Sequence, residues 1–259
     1  MNVEMSGMFL ENLFLLFVRT VSLFSSAPIF GQRNIPAQVR IGLAGLMSYV
    51  LLQASPNSIA SMPDSIGYYA LLVSNEVIFG LLLGFIATLA VTGLTMAGTL
   101  IGNALGLNAA QLLSPMTGQQ VTLMDQFYTM IAGLVFLSID GHHWLIMAVA
   151  ETLRVAPVGS FQVDPTMLAD LMPLSSAIFV AGMRIALPVF GTVILTDVGL
   201  AVVARAVPQM NIFIVGLPLK VLVGLGAMIV TLPLMGPTIV NIITDGMAHL
   251  EALVHAGGQ

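Results

Sequence analysis

The sequence has no cysteine among its 259 residues. Disulfide frameworks, thiolate nucleophiles and Cys-ligated metal centres are therefore excluded. Charge is almost as scarce. Seven Lys and Arg and twelve Asp and Glu make up 7% of the chain, whereas a soluble domain carries about 25%. So little charge cannot clothe a globular surface, so most of the chain must face lipid or other apolar protein. No basic run accompanies the net charge of −5, which excludes nucleic acid as a natural partner. The sequence has no H-E-x-x-H, G-x-S-x-G or G-x-x-x-x-G-K-[ST] signature, so it reads as a non-enzyme without a cofactor. No Lys or Arg precedes Arg19, while Glu4 and Glu11 do. A cleaved signal peptide needs a positive N-terminal region, so the first apolar stretch reads as a retained helix.

What is abundant is apolar residues, at 58% with a mean hydropathy of +1.01. The fold class that follows is all-α: a polytopic membrane-type helical protein with about six apolar segments, several broken by Gly or Pro. About 20 apolar residues cross a hydrocarbon core of about 30 Å. Residues 8–30 and the shorter 40–54 form the first two segments, the second cut off by Pro56 and Pro63. Residues 66–107 hold no proline and make either one helix of roughly 60 Å or two with a break near Gly93. Residues 124–153 are notched at Asp140-Gly141, 168–204 contain Pro188 and Gly191, and 218–244 contain Pro233 and Pro237. No soluble domain or linker interrupts them, so 1–259 reads as one domain. The echo between "APIFG" (27–31) and "LPVFG" (187–191) reads as chance.

With the N-terminus outside, the inner linkers hold Arg33, Arg40, Arg205 and Lys220, and the outer ones Arg154 with Asp64, Asp164 and Asp170. That bias agrees with the positive-inside rule. It makes "ARAVPQMNIFIVGLPLK" (204–220) the cytoplasm-facing turn of a helical hairpin. Pro208 and Pro218 disfavour helix at the residue before each, so the tip is predicted not to be a plain helical turn. Gln209 and Asn211 can satisfy freed backbone groups.

Gly80 and Gly84 stand four apart, and Gly98, Gly102 and Gly106 are predicted to share a helical face. Such stripes let helix backbones approach closely where lipid offers no hydrophobic drive; contact within the chain and contact with another subunit are both open. Arg19, Glu76, Arg184 and Asp197 lie within apolar segments. Each costs about 2.5–3.5 kcal/mol at a helix centre on insertion scales, so they must pair, snorkel or sit in a wet interior. With Arg205, on the same helical face as Asp197, they read as a structural charge network in preference to a proton or ion relay. "DGHH" (140–143) reads as a polar helix break. His142 and His143 point about 100° apart on a regular helix, which argues against their facing one metal ion.

The chain resembles the FliR family of export-gate subunits of the flagellar type III secretion apparatus, to which the injectisome equivalents are related. The resemblance covers nearly the full length. It rests on "VRTVSLFSSAPIFGQRNIPAQVRIGL" (18–43), "EVIFGLLLGF" (76–85), "AGTLIGNALGLNAAQLLSPMTGQQ" (97–120), "DGHH", "APVGSF" (156–161) and "TDVGLAVVARAVPQMNIFIVGLPLK" (196–220); "MNIFIVGLPLK" looks flagellar. The resemblance implies assembly with FliP-like and FliQ-like subunits into a pore, with FlhB-like protein around it and FlhA nearby. Unfolded flagellar export substrates would be the cargo, and the bacterial inner membrane at the flagellar basal body the location. It further implies a FliP-like part (1–165) and a FliQ-like helical hairpin (168–250), whose tip would present Pro208, Gln209, Asn211, Phe213, Pro218 and Lys220 to partners. It assigns a pore plug to 107–120, where Leu107, Leu112, Leu113, Pro115 and Met116 lie. An apolar constriction closes a pore by dewetting, and an ordinary packed loop is the other reading. Family members often carry phenylalanines and an acidic residue before the proline, where this chain has leucines and Ser114. A secondary transporter of a small solute is the alternative function, since broken helices and buried charges suit it too.

Overall fold

The computed structural model describes residues 3–32, 35–55, 65–107, 123–161, 165–209 and 211–256. Among the described residues there are seven α-helices and no strand. They are α1 (Val3–Ser26), α2 (Ala37–Ala54), α3 (Ile66–Ala104), α4 (Leu123–Ser138), α5 (Gly141–Val155), α6 (Pro165–Ala206) and α7 (Ile212–Ala256). Four helical stretches are long and apolar enough to cross a membrane: Gly7–Ser26, Ile66–Leu89, Ser175–Ala206 and Ile214–Gly246. The pair α4 and α5 makes a fifth if taken as one broken span.

Three readings of continuity are decided by backbone chemistry. Residues 66–104 form one helix, without a break at Gly93. Pro188 and Gly191 lie within α6. Pro218, Pro233 and Pro237 lie inside α7, so the predicted interruption before Pro218 gives way to helix from Ile212 onward. A proline deletes one helical hydrogen bond, but leaving the helix in apolar surroundings would orphan many more. The notch at Asp140 is present, with that residue in the left-handed region at φ 58°.

The Gly98-Gly102-Gly106 stripe is corrected. The helix ends at Ala104, and Gly106 sits past it at φ 74°. Its N–H donates to Asn103 O at 3.1 Å, and the Leu107 N–H donates to Gly102 O at 3.2 Å. These two bonds define a Schellman motif, which requires a left-handed residue at the Gly106 position. Gly106 therefore ends α3 and does not extend its packing face.

The chain forms two compact units. The first comprises residues 1–90, 137–175 and 244–259. A Cβ on Gly80 would strike Arg19 O and Ser22, and one on Gly84 would lie 2.5 Å from Leu23 O and strike Ser26 Oγ. Successive contacts thus ascend α1 and α3 together, so these helices run parallel at backbone contact. Ser26 Oγ donates to Leu81 O at 3.2 Å and Thr88 Oγ1 donates to Ser26 O. Against the other side of α1, Ser48 Oγ on α2 donates to buried Thr20 Oγ1 at 3.2 Å. Leu15, Leu16, Leu23, Phe24, Leu52, Phe79 and Phe161 fill the core.

The second unit comprises residues 91–136 and 176–243. Here a Cβ on Gly98 would lie 2.8 Å from Met124 O and 3.0 Å from Tyr128 Cβ, which sets α4 against α3. Gly93 and Gly182 meet at a backbone crossing of α3 and α6, where a Cβ on Gly182 would lie 2.5 Å from Gly93 O. Lys220 pairs with Asp197, and Gly224 packs against Val193. Moving back four residues on α6 moves forward four on α7, the signature of an antiparallel hairpin.

Candidate functional site

The most enclosed polar cluster in the first unit centres on Arg19, whose side chain and that of Glu76 are both fully buried. Arg19 Nε donates to Glu76 Oε2 at 2.5 Å and Nη2 to Oε1 at 2.9 Å. This two-bond fork uses the planar geometry of guanidinium against carboxylate. The other terminal nitrogen, Nη1, donates to Thr152 Oγ1 at 3.0 Å and to Ala156 O at 3.2 Å. Ala156 is the residue that closes α5, so the arginine also caps the negative end of that helix dipole. Glu76 Oε1 accepts a third bond, from the Gly159 N–H at 2.8 Å. Gly159 lies at φ 80°, a conformation that glycine adopts without strain.

Aromatic rings close the cluster. The Arg19 guanidinium carbon lies 4.9 Å from the Phe79 ring centre, and Phe79 stacks on Phe161 at 4.0 Å. Asn75 Nδ2 donates to Phe161 O at 3.4 Å. The node therefore ties α1, α3 and the turn after α5 together. Each charge has a partner and further hydrogen bonds, the condition under which a buried pair is tolerated. No face of the pair is open to solvent. Three of the segments that carried the family resemblance, 18–43, 76–85 and 156–161, converge here. Thr152, Ala156, Gly159, Phe79 and Phe161 were not foreseen as its partners; the sequence signal for Ala156, Gly159 and Phe161 was the "APVGSF" segment, and for Phe79 the "EVIFGLLLGF" segment.

The remaining predicted charges are placed elsewhere. Arg184 and Arg205 are exposed, and among the described residues neither forms an ion pair. Asp197 Oδ1 lies 2.5 Å from Lys220 Nζ across the α6–α7 hairpin. The one network of five charges thus resolves into a buried pair, a hairpin pair and two exposed arginines. Eight residues on one helix separate Asp197 from Arg205 by about 12 Å, whereas the hairpin sets Lys220 opposite. The hairpin pair is 44% exposed at Asp197. Asp197→Asn is therefore expected to cost only about 0.2–1 kcal/mol, read as a small drop in the unfolding midpoint of the detergent-solubilised chain.

At the hairpin tip, Pro208 and Gln209 form an exposed turn. Asn211 O accepts from the N–H groups of Ile214 at 3.1 Å and Val215 at 3.4 Å to start α7. The Phe213 side chain lies outside the described residues. So do Leu112, Leu113, Pro115 and Met116 of the predicted plug; Leu107, at its start, completes the turn that ends α3. Gly102 is buried near the end of α3.

The family described as bacterial export proteins, family 1, matches residues 10–246. The flagellar biosynthetic protein FliR of Aquifex aeolicus is 35% identical over 96% of this chain and 95% of its own length. The Bacillus subtilis protein of that name is 32% identical over 93% and 94%. The Escherichia coli one is 29% identical over 91% and 92%.

Proposed function

The chain belongs to the bacterial export proteins, family 1, as a FliR-type flagellar biosynthetic membrane protein, and on that premise we propose that it is a pore subunit of the flagellar protein export gate. In this reading it assembles with FliP-like and FliQ-like subunits in the inner membrane at the basal body. Segment 107–120 supplies a plug, and the 204–220 tip faces the cytoplasm and an FlhB-like partner. The observation that carries the assembly reading is the bareness of the hairpin. In the most apolar 18-residue stretch of the Ser175–Ala206 span only 33% of residues are buried within the chain, and in that of Ile214–Gly246 only 17%. Leu195, Ile214, Leu222, Ile229 and Leu234 are each largely exposed. Faces this apolar need lipid or neighbouring helices, and small residues on them allow neighbours to come close.

The tip gives the test. Ile212, Phe213 and Ile214 are apolar and start a helix at the end of the hairpin. Phe213→Asp is expected to leave the chain co-purifying with FliP-like and FliQ-like proteins while reducing recovery of the FlhB-like protein and lowering export several-fold. Recovery of no FliP- or FliQ-like protein with the wild-type chain, in mild detergent, would overturn the assembly reading. Wild-type recovery of the FlhB-like protein with Phe213→Asp would remove the role of the tip.

A further inference from the structure

The turn between α4 and α5 gathers donors that the buried node does not use. Asp140, at φ 58°, precedes α5 yet its carboxylate makes no capping hydrogen bond to that helix. An Asp in that position ordinarily accepts from the first-turn N–H groups. Its side chain instead lies toward His143, with Oδ1 3.6 Å from His143 Nδ1. The two imidazoles do not diverge as their helical spacing suggests. Their rings lie 4.4 Å apart, tilted by 33°. One donor atom from each of Asp140, His142 and His143 lies within 4.8 Å of the others. His142 Nδ1 is buried and has no hydrogen-bond partner, a state that native structures rarely leave unanswered.

We propose that Asp140, His142 and His143 form a binding site for a divalent first-row transition metal ion, with Zn²⁺ the simplest occupant. Two imidazole nitrogens and one carboxylate oxygen are a borderline donor set, suited to Zn²⁺, Ni²⁺ or Fe²⁺ and ill suited to Mg²⁺ or Ca²⁺. Around one zinc ion, bonds of about 2.0–2.2 Å bring donors closer together than they stand here, a change within reach of side-chain rotation. The Asp140 and His143 side chains are 70% and 64% exposed, which leaves an entry path and room for water in the open positions. Backbone spacing does not keep these residues from one ion, for two reasons. Asp140 enters from a left-handed turn, and the imidazoles converge beyond their Cβ atoms. Bound metal would tie the turn to the first turn of α5.

The test is a titration of the untagged full-length chain in detergent with Co²⁺, whose visible d–d absorption reports low-coordinate binding. One saturable equivalent, displaced by Zn²⁺, is expected. Asp140→Asn and His143→Ala should each weaken it at least about tenfold, and His143→Gln should do the same if the alanine variant misfolds. His249→Ala/His255→Ala, which removes the only other imidazoles, should leave it unchanged. Absence of saturable binding would overturn the proposal. So would unaltered binding in His142→Ala/His143→Ala with helix content equal to the unmodified chain.

Discussion

Arg19→Met should deplete the folded chain from the membrane. The substitution leaves the Glu76 carboxylate, fully buried, with the Gly159 N–H as a remaining donor. Removing one partner of a buried ion pair costs about 3–5 kcal/mol, a large share of a typical stability of about 5–15 kcal/mol. It also uncaps the end of α5 at Ala156, which the arginine holds. Arg19→Met/Glu76→Met should recover most of the loss, because an apolar pair of similar volume often replaces a buried ion pair at little cost. Abundance in the membrane and monodispersity in detergent measure both. Equal abundance of Arg19→Met and the unmodified chain would show that the node does not hold α1, α3 and α5 together. A double variant as poor as the single would mean that the hydrogen bonds to Thr152 and Ala156, not charge balance, carry the effect.

Gly84→Val should be comparably damaging for a different reason. A Cβ there would lie 2.5 Å from Leu23 O, and backbone cannot turn aside as a flexible side chain does. Overpacking ordinarily costs about 1–3 kcal/mol; here α1 and α3 must separate along their parallel contact, so the upper end or beyond is expected. The internal control is glycine in open space. A Cβ on Gly191 or Gly226 would meet nothing within 4 Å, so Gly191→Ala and Gly226→Ala should leave abundance unchanged. Equal tolerance at all three positions would show that close approach of α1 and α3 is not what Gly84 serves.

The sequence exposed the features that depend on composition and local chemistry. Scarce charge and long apolar runs led to an all-α membrane protein, and Asp140-Gly141 marked a real helix break. Gly80 and Gly84 were legible as a packing face because their spacing follows the helical repeat, though only the fold identified α1 as what they touch. Features that depend on tertiary pairing were not legible. Arg19 and Glu76 stood out singly, as opposite charges in apolar helices 57 residues apart, but nothing local says that they meet or that Gly159 and Thr152 join them. Lys220 was read with the tip and Asp197 with Arg205, because a one-dimensional face cannot show what a hairpin sets opposite. Pro218 was expected to interrupt the helix before it, yet it lies inside α7, where one lost helical hydrogen bond is outweighed by the rest of the ladder. Gly106 obeyed the four-residue spacing of its neighbours yet serves the turn that ends α3, a role shown by its positive φ and by the two hydrogen bonds that close the turn.

The central claim is that this chain works in flagellar protein export, as its family membership indicates. The most direct measurement is the export of hook- and filament-type substrates into the medium by cells with a clean deletion of the chain, with and without a copy supplied in trans. The account predicts loss of both substrates and of motility on deletion, restored by the unmodified copy and not by Arg19→Met. Normal export and motility in the deletion strain would contradict it.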